Sequence, residues 1–152
     1  MNRLSTARTS SSRAKSRSSR TTSEIPAGPV KLSAVIDHVT VRVSDFEASK
    51  AFYSTVLPPL GHDLAWEDPK QKLAEWGDFS IAADGKPLTR DVHVAFAARS
   101  REEVEAFHRV ALEAGYRDNG PPGERSVYHE GYYGAFVLDP DGNNVEAVFH
   151  DR

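Results

Sequence analysis

Residues 36–57 read IDHVTVRVSDFEASKAFYSTVL, and residues 91–112 read DVHVAFAARSREEVEAFHRVAL. Shifted by 55 residues, the two segments align, and the alignment matches His38 with His93 and Phe52 with Phe107. Internal repeats of this kind indicate that one structural unit occurs twice in the chain. The repeat therefore decides the fold, because each copy must be read as the same local structure.

Each copy reads as a strand, a turn and a helix. The alternating apolar residues that predict the strands are Val39, Val41 and Val43 in the first copy and Val92, Val94 and Phe96 in the second. Ser44-Asp45 and Arg99-Ser100 offer side-chain oxygens where the helices would begin, and acidic residues follow in both first turns. Apolar residues then recur at helical spacing. Gly61 and Gly115 suit the helix exits.

Material for short strands follows each helix. In the second copy these strands are expected around 116–117, 126–129, 134–138 and 145–149, with a turn at Asp139-Pro140-Asp141-Gly142. The sequence thus predicts an α+β fold made of two βαβββ modules, at about 34–84 and 90–150. We expect a domain over 31–152, preceded by a disordered basic tail and linker over 1–30 that is rich in Ser and Arg.

Composition limits the function further. Of the 152 residues, 39% are hydrophobic and 27% are charged, which is typical of a globular protein. Without cysteine, any metal must be held by His, Asp or Glu. The net charge is −3, but residues 1–23 carry six basic residues and no acid, which leaves −9 for the remainder. We therefore expect no nucleic-acid partner for the folded part, and no membrane span.

The tail leaves two interpretations of location open. Its Arg-rich and Ser-rich composition without acids is that of an organelle transit peptide, which would make the protein mitochondrial. The amphipathic face of such a peptide is weak here, and we favour a dispensable extension on a cytoplasmic protein.

Three candidate metal ligands share the strand pattern. His38, His93 and Glu146 each fall on the side of a strand opposite to its alternating apolar residues, and so on the face turned away from the helices. If the two sheets curl toward each other, these faces converge. Two imidazoles and one carboxylate form the facial triad suited to Fe, and they also serve Mn, Ni, Co or Zn. Taken singly, each residue is more often a structural or solvated strand residue than a ligand.

Residues near this site could bind or activate a substrate. The segment YHEGYY over 128–133 is rich in hydrogen-bonding rings. His129 is a candidate acid–base group, and Tyr132 or Tyr133 could polarise a bound oxygen, with Tyr133 preferred. Tyrosines are also ordinary strand residues that pack half-buried. Arg42 shares the face of His38 and could bind an anionic substrate group, although a surface ion pair is at least as good an explanation.

Two stretches resemble a known superfamily. DHVTVRV from Asp37 and GAFVLDPDGNNVEAV from Gly134, together with the repeat, are similar to the vicinal oxygen chelate superfamily, which includes glyoxalase I, extradiol dioxygenases and bleomycin-resistance proteins. The resemblance covers about 34–150. It implies paired βαβββ modules that form a curled mixed sheet around a cavity, with His38, His93 and Glu146 at three of the ligand positions. A fourth ligand, expected on the last strand of the first module, is absent from Phe79-Ser80-Ile81-Ala82.

The resemblance implies a metal-dependent enzyme that acts on a small oxygen-chelating substrate by lyase, isomerase or dioxygenase chemistry. The missing fourth ligand argues against a true lactoylglutathione lyase. The alternative is a metal-free protein of the same fold that binds a small molecule such as a drug, and a third possibility is an interaction module. The superfamily also implies a homodimer.

Overall fold

Both copies of the repeat fold into a strand followed by a helix that begins where the sequence predicts. The structure, a computed structural model, describes residues 36–151. Asp45 accepts a hydrogen bond from the backbone N–H of Ala48 at 3.0 Å, and Ser100 accepts one from the N–H of Glu103 at 3.3 Å. These side chains satisfy N–H groups that have no partner within the helix. The predicted tail over 1–30 lies outside the described residues.

The elements form two sheets with the same topology. In chain order they are β1 (Val39–Arg42), α1 (Phe46–Val56), a short 3-10 helix (Pro58–Leu60), β2 (Trp66–Asp68), β3 (Leu73–Trp76), β4 (Phe79–Ala82), β5 (His93–Ala97), α2 (Arg101–Glu113), β6 (Arg117–Glu124), β7 (Tyr132–Leu138) and β8 (Asn144–His150). The strand orders are β1-β4-β3-β2 and β5-β8-β7-β6, and in each sheet only the first pair is parallel. The predicted α+β fold of two βαβββ modules is confirmed.

The two modules share one hydrophobic core. Val41 and Phe52 of the first module belong to the same buried cluster as Phe107 and Val137 of the second. Between the sheets, the rings of Phe79 and Phe96 meet edge to face, with their centroids 5.1 Å apart. Each sheet therefore turns its helix-covered side inward. The opposite side of each sheet, called the open face below, lies on the outside of this core.

One strand differs from the sequence prediction. Residues 126–129 form a turn rather than a strand, and β6 instead extends from residue 117 to residue 124 through Pro121 and Pro122. Proline cannot donate a ladder hydrogen bond, so proline-containing segments are read as loops, but edge strands tolerate it. β6 lies at an edge of its sheet, where its prolines are tolerated. They interrupt the register of its pairing with β7, but the two strands remain paired on both sides of the interruptions.

No helix within residues 36–151 has the length and apolar character required to cross a membrane.

The turn between β7 and β8 joins the two modules through the buried carboxylate of Asp139. Its Oδ2 accepts hydrogen bonds from the Tyr53 hydroxyl and from the side-chain amide of Asn143, both at 3.0 Å. Its Oδ1 accepts from the backbone N–H groups of Asp141 and Asn143 at 3.0 and 2.8 Å. In addition, the Ser44 N–H donates to Asp141 at 2.9 Å. Since Tyr53 lies on α1, this turn fastens the second module to the helix of the first.

We predict that Tyr53→Phe destabilises the protein. Burial raises the pKa of Tyr53, so its hydroxyl stays protonated and acts as the donor to Asp139. Removal of that donor should lower the free energy of unfolding by about 1.5–3 kcal/mol, measured by urea denaturation. The control is Tyr116→Phe, whose ring packs on Phe52 in the same core and should change stability by less than about 0.5 kcal/mol. Equal effects of the two variants would contradict this role.

Candidate metal centre

The structure brings His93 and Glu146 together on the open face of the second sheet. The Nε2 atom of His93 lies 2.7 Å from Oε2 of Glu146. β5 and β8 are parallel neighbours in which Ala95 pairs with Glu146, so His93 is two residues away on the same face. His93 is half-exposed, whereas Glu146 is only 1% exposed. A carboxylate on the open face is therefore buried, with an exposed imidazole beside it.

A tyrosine holds the other oxygen of this carboxylate. The hydroxyl of Tyr132, on β7, donates to Oε1 of Glu146 at 2.6 Å. Burial and then this hydrogen bond raise the pKa of Tyr132 above its ordinary value. A methyl group at Gly134 would lie 2.8 Å from the same Oε1 and 3.3 Å from the Tyr132 ring. Glycine at position 134 thus provides the space in which the two side chains meet, and Oε2 remains directed at His93.

The pair has the chemistry of two ligands of one divalent ion. An imidazole nitrogen and a carboxylate oxygen each bind such an ion at about 2.0–2.2 Å, so two atoms already 2.7 Å apart need little movement to share it. Tyr132 supplies the outer hydrogen bond that commonly orients a ligating carboxylate. Two protein ligands are too few for a stable site, however. Within residues 36–151 of one chain, no group of three His, Asp or Glu side chains is placed to hold a metal.

His38 lies on the open face of the first sheet instead. Its exposed Nδ1 is 2.8 Å from a carboxylate oxygen of Asp37, and that hydrogen bond is the main reason why its pKa is raised, with a smaller contribution from the charge of Glu75. The side chain borders a pocket of about 460 Å³. The lining residues are Asp37, His38, Thr40, Leu73, Glu75, Gly77, Asp78, Phe79 and Ser80. The structure therefore unites two of the three expected ligands and places the third in a separate pocket.

The two tyrosines of β7 point to opposite sides of the sheet. Tyr132 faces Glu146, whereas the Tyr133 hydroxyl lies 3.0 Å from a carboxylate oxygen of Glu105 on α2. The Arg101 guanidinium also lies over the ring of Tyr133, 4.9 Å from the ring centroid. The structure thus places the preferred candidate, Tyr133, on the helix side, away from His93. Strand alternation makes only one of two consecutive tyrosines available to the open face.

The two remaining candidates, His129 and Arg42, lie outside the His93–Glu146 pair. His129 sits in the turn before β7, with its ring centroid 5.3 Å from that of Tyr132 and its Nε2 3.0 Å from Nδ1 of His150. Arg42 points Nε toward a carboxylate oxygen of Asp84 at 3.3 Å. His129 is therefore a neighbour of the tyrosine that holds Glu146, and Arg42 is engaged in an ion pair.

The sequence names Tyr132 only as the less favoured of two tyrosines, and it does not single out Glu75, which lines the pocket beside His38. Both could have been found by alternation. Ala74 and Trp76 are buried on β3, so Glu75 between them faces the open side. On β7, alternation places Tyr133 on the same helix-facing side as the buried Ala135, so Tyr132 lies on the side of Glu146. The alternation of residues along β3 and β7 is sufficient to identify both side chains once the strand boundaries are known.

Comparisons with known proteins agree with this architecture. The family model described as "Glyoxalase/Bleomycin resistance protein/Dioxygenase superfamily" matches residues 35–147. An uncharacterised Pseudomonas aeruginosa protein, PA2024, is 33% identical over 132 residues, a match that covers 76% of this chain and 88% of the relative.

Solved structures give the same result. A glyoxalase/bleomycin resistance protein from Albidiferax ferrireducens is similar with a TM-score of 0.65 and 32% identity, covering 76% of this chain and 99% of that one. A lactoylglutathione lyase from Agrobacterium tumefaciens is similar with a TM-score of 0.57, over 77% of this chain and 93% of that one. At 19% identity the second likeness concerns the fold alone.

We predict that Tyr132→Phe and Tyr133→Phe have different effects. Loss of the Tyr132 hydroxyl removes a donor from a buried carboxylate and should lower the free energy of unfolding by about 1.5–3 kcal/mol. Loss of the Tyr133 hydroxyl removes an exposed contact with Glu105 and should cost less than about 0.5 kcal/mol. Urea denaturation of both variants provides the comparison. If Tyr133→Phe were the more damaging change, the assignment of the two faces would be wrong.

Proposed function

This chain belongs to the glyoxalase/bleomycin resistance protein/dioxygenase superfamily, and from that premise we propose that it is a divalent-metal-dependent enzyme acting on a small, oxygen-chelating substrate. The observation that carries the proposal is Glu146, a carboxylate that is 1% exposed and held by Tyr132 with one oxygen left for His93. Burial of a carboxylate is costly unless it is paired. A metal centre provides a reason to retain such a group on the open face.

In the proposed site, His93 and Glu146 bind the ion, and His38 supplies the third ligand. The ion is one of Fe, Mn, Ni, Co or Zn, since two imidazoles and a carboxylate suit each of them. When bound, such an ion polarises a substrate carbonyl or stabilises an enolate or oxyanion. Tyr132 fixes the orientation of the Glu146 carboxylate, and His129 stands beside Tyr132 as a candidate for proton transfer. Lyase, isomerase and dioxygenase chemistry are all compatible with this arrangement.

We further propose that the site is completed in a homodimer. His38 and the His93–Glu146 pair lie on open faces outside the shared core, so the two groups of one chain do not meet. Within the described residues, β1 and β5 are edge strands of their sheets, and Thr89 already bonds the backbone of Arg42 at one end of the β1 edge. A second copy that brought its β1 beside β5 would cover both edges and carry its His38 toward His93. Two-fold symmetry would then produce two equal sites.

One observation favours a second candidate, the metal-free binding of a small molecule. Trp66 on β2 is 48% exposed and pairs with Glu75 across the first sheet, so an aromatic surface and a carboxylate adjoin on the open face. Such a surface could hold a flat or cationic compound without any ion. A measurement of the metal bound per chain distinguishes this metal-free binding protein from the metal-dependent enzyme.

We predict stoichiometric metal binding by protein purified without a histidine tag. Elemental analysis after incubation with Fe, Mn, Ni, Co or Zn should give about one ion per chain, and His93→Ala or Glu146→Gln should abolish it. The bound ion should also raise the unfolding temperature, because it binds only the folded state. His62→Ala, at an exposed histidine away from these residues, is the control and should bind normally. Absence of metal uptake by the unaltered protein would exclude the enzyme proposed here.

Mixing two defective variants tests the dimeric site. His38→Ala and His93→Ala should each fail to bind metal, since every site in either homodimer lacks one ligand. After subunit exchange, a mixed dimer contains one intact site and one that lacks both histidines. An equal mixture should therefore recover about one quarter of the ion content of the unaltered protein. If the mixture binds no more than the separate variants, the ligands are not shared between copies.

A further inference from the structure

Arg125 lies on the open face of the second sheet, directly after β6. Its backbone N–H donates to the carbonyl oxygen of Tyr132 at 2.8 Å, so the two residues stand opposite each other where the pairing of β6 with β7 ends. The preceding residue, Glu124, pairs with Tyr133 and reaches Arg101 on the helix side. Because side chains alternate along a strand, Arg125 takes the opposite side, which is the open face.

Backbone oxygens and an aromatic ring hold the guanidinium of Arg125 in place. Its Nη2 donates to the carbonyl oxygen of Pro121 at 2.7 Å, and its Nη1 donates to that of Glu124 at 3.2 Å. The group also lies over the ring of Phe136, with Cζ 5.4 Å from the ring centroid. A methyl group at Gly123 would come within 2.9 Å of Nη1, so glycine leaves room for the guanidinium. The guanidinium is therefore positioned by the protein itself, as binding a ligand with little loss of entropy requires.

The charge of Arg125 has no carboxylate partner among the described residues. Within residues 36–151 Arg125 makes no ion pair, whereas Arg42, the anion-binding candidate from the sequence, is paired with Asp84 at 3.3 Å. The two carbonyl bonds use two of the five N–H groups of the guanidinium, and the described part of the chain offers no acceptor to the other three. Arg125 is half-buried, and a partly desolvated charge is costly until it is paired. These features suit a ligand that brings the negative charge.

Aromatic side chains surround this cation on the open face. The ring of Phe136 lies under the guanidinium, and its centroid is 6.1 Å from that of the His93 imidazole. Burial, and then the hydrogen bond to Glu146, raise the pKa of Tyr132, and the charge of Arg125 opposes that rise. Arg125 thus lies close enough to the Tyr132 hydroxyl for its charge to act there. A cation bordered by rings is suited to an anion with a flat, apolar skeleton.

We infer that Arg125 binds the carboxylate of a small aromatic acid on the open face of the second sheet. The planar guanidinium can donate two parallel N–H···O bonds to a carboxylate, and Phe136 and Tyr132 provide an aromatic surface for the rest of the molecule. Binding at Arg125 requires no metal ion, so this inference goes beyond the metal-dependent function proposed above and does not rest on it.

The test is an NMR titration of the full-length protein, freed of metal by a chelator, with benzoate and its neutral analogue benzamide at constant ionic strength. The side-chain Nε–H signal of Arg125, assigned by its loss in Arg125→Gln, should shift with benzoate and stay unchanged with benzamide. Arg125→Gln should weaken benzoate binding by at least about tenfold, because charge-assisted hydrogen bonds are lost. The matched control is Arg117→Gln, which removes the same charge from an exposed position at the start of β6 and should leave benzoate binding unchanged.

Thermal unfolding verifies that both glutamine variants are folded. Should Arg125→Gln not fold, Arg125→Lys takes its place: it keeps the charge but cannot donate two parallel bonds, and it should bind benzoate more weakly than the unaltered protein. The inference is overturned if benzoate does not bind, if benzamide binds equally well, or if the Arg125 variant binds benzoate as tightly as the Arg117 control.

The titration contains no metal, so its result is separate from that of the metal-uptake experiment. Uptake of one ion per chain without benzoate binding would support the proposed enzyme and overturn the role of Arg125. Benzoate binding through Arg125 without ion uptake would support this inference and exclude the enzyme, which leaves the metal-free binding protein.

Discussion

The buried carboxylate of Asp139 is the constraint on which both modules depend. It gathers hydrogen bonds from Tyr53 on α1 and from the turn that contains Asn143, so it determines where β8 begins. Asn143 in turn accepts a hydrogen bond from the N–H of Val92, directly before β5. Because side chains alternate along a strand, a slip of one residue would turn Glu146 from the open face into the core. The register of the candidate site is thus set by a turn at the end of its strand.

Glu146 illustrates the energetic cost of such a site. A carboxylate buried on a sheet face is tolerated only when its oxygens have partners, and here they are Tyr132 and His93. Gly134 contributes by having no side chain, since a methyl group there would occupy the space of the carboxylate. His93, Tyr132 and Gly134 of the second sheet therefore all accommodate the buried carboxylate of Glu146. A fold selected for stability alone would be better served by an apolar residue at position 146.

The sequence predicted local structure better than the relation between the two modules. The repeat and the alternation of apolar residues were sufficient for both strand–helix pairs and for the face on which His93 and Glu146 lie. The path of β6 was missed, because the prolines at 121 and 122 are compatible with a strand only at a sheet edge, and edge position is a tertiary property. The separation of His38 from the other two candidates was missed for the same kind of reason. It follows from how the sheets pack, through contacts such as that of Phe79 with Phe96, which no local pattern contains.

The division of the candidate ligands between two outward faces has a thermodynamic consequence. In the proposed dimer, one chain contributes the pair of His93 and Glu146, which is too weak to hold an ion alone, and the second copy contributes its His38. Metal binding and association are then linked, so the ion stabilises the dimer by the same free energy by which the dimer strengthens ion binding. On this proposal, a monomer would present only half of each site and would bind the ion weakly. In that dimer, assembly of the two chains and assembly of the metal centre would be one event, and the edges of β1 and β5 would be the surfaces through which it occurs.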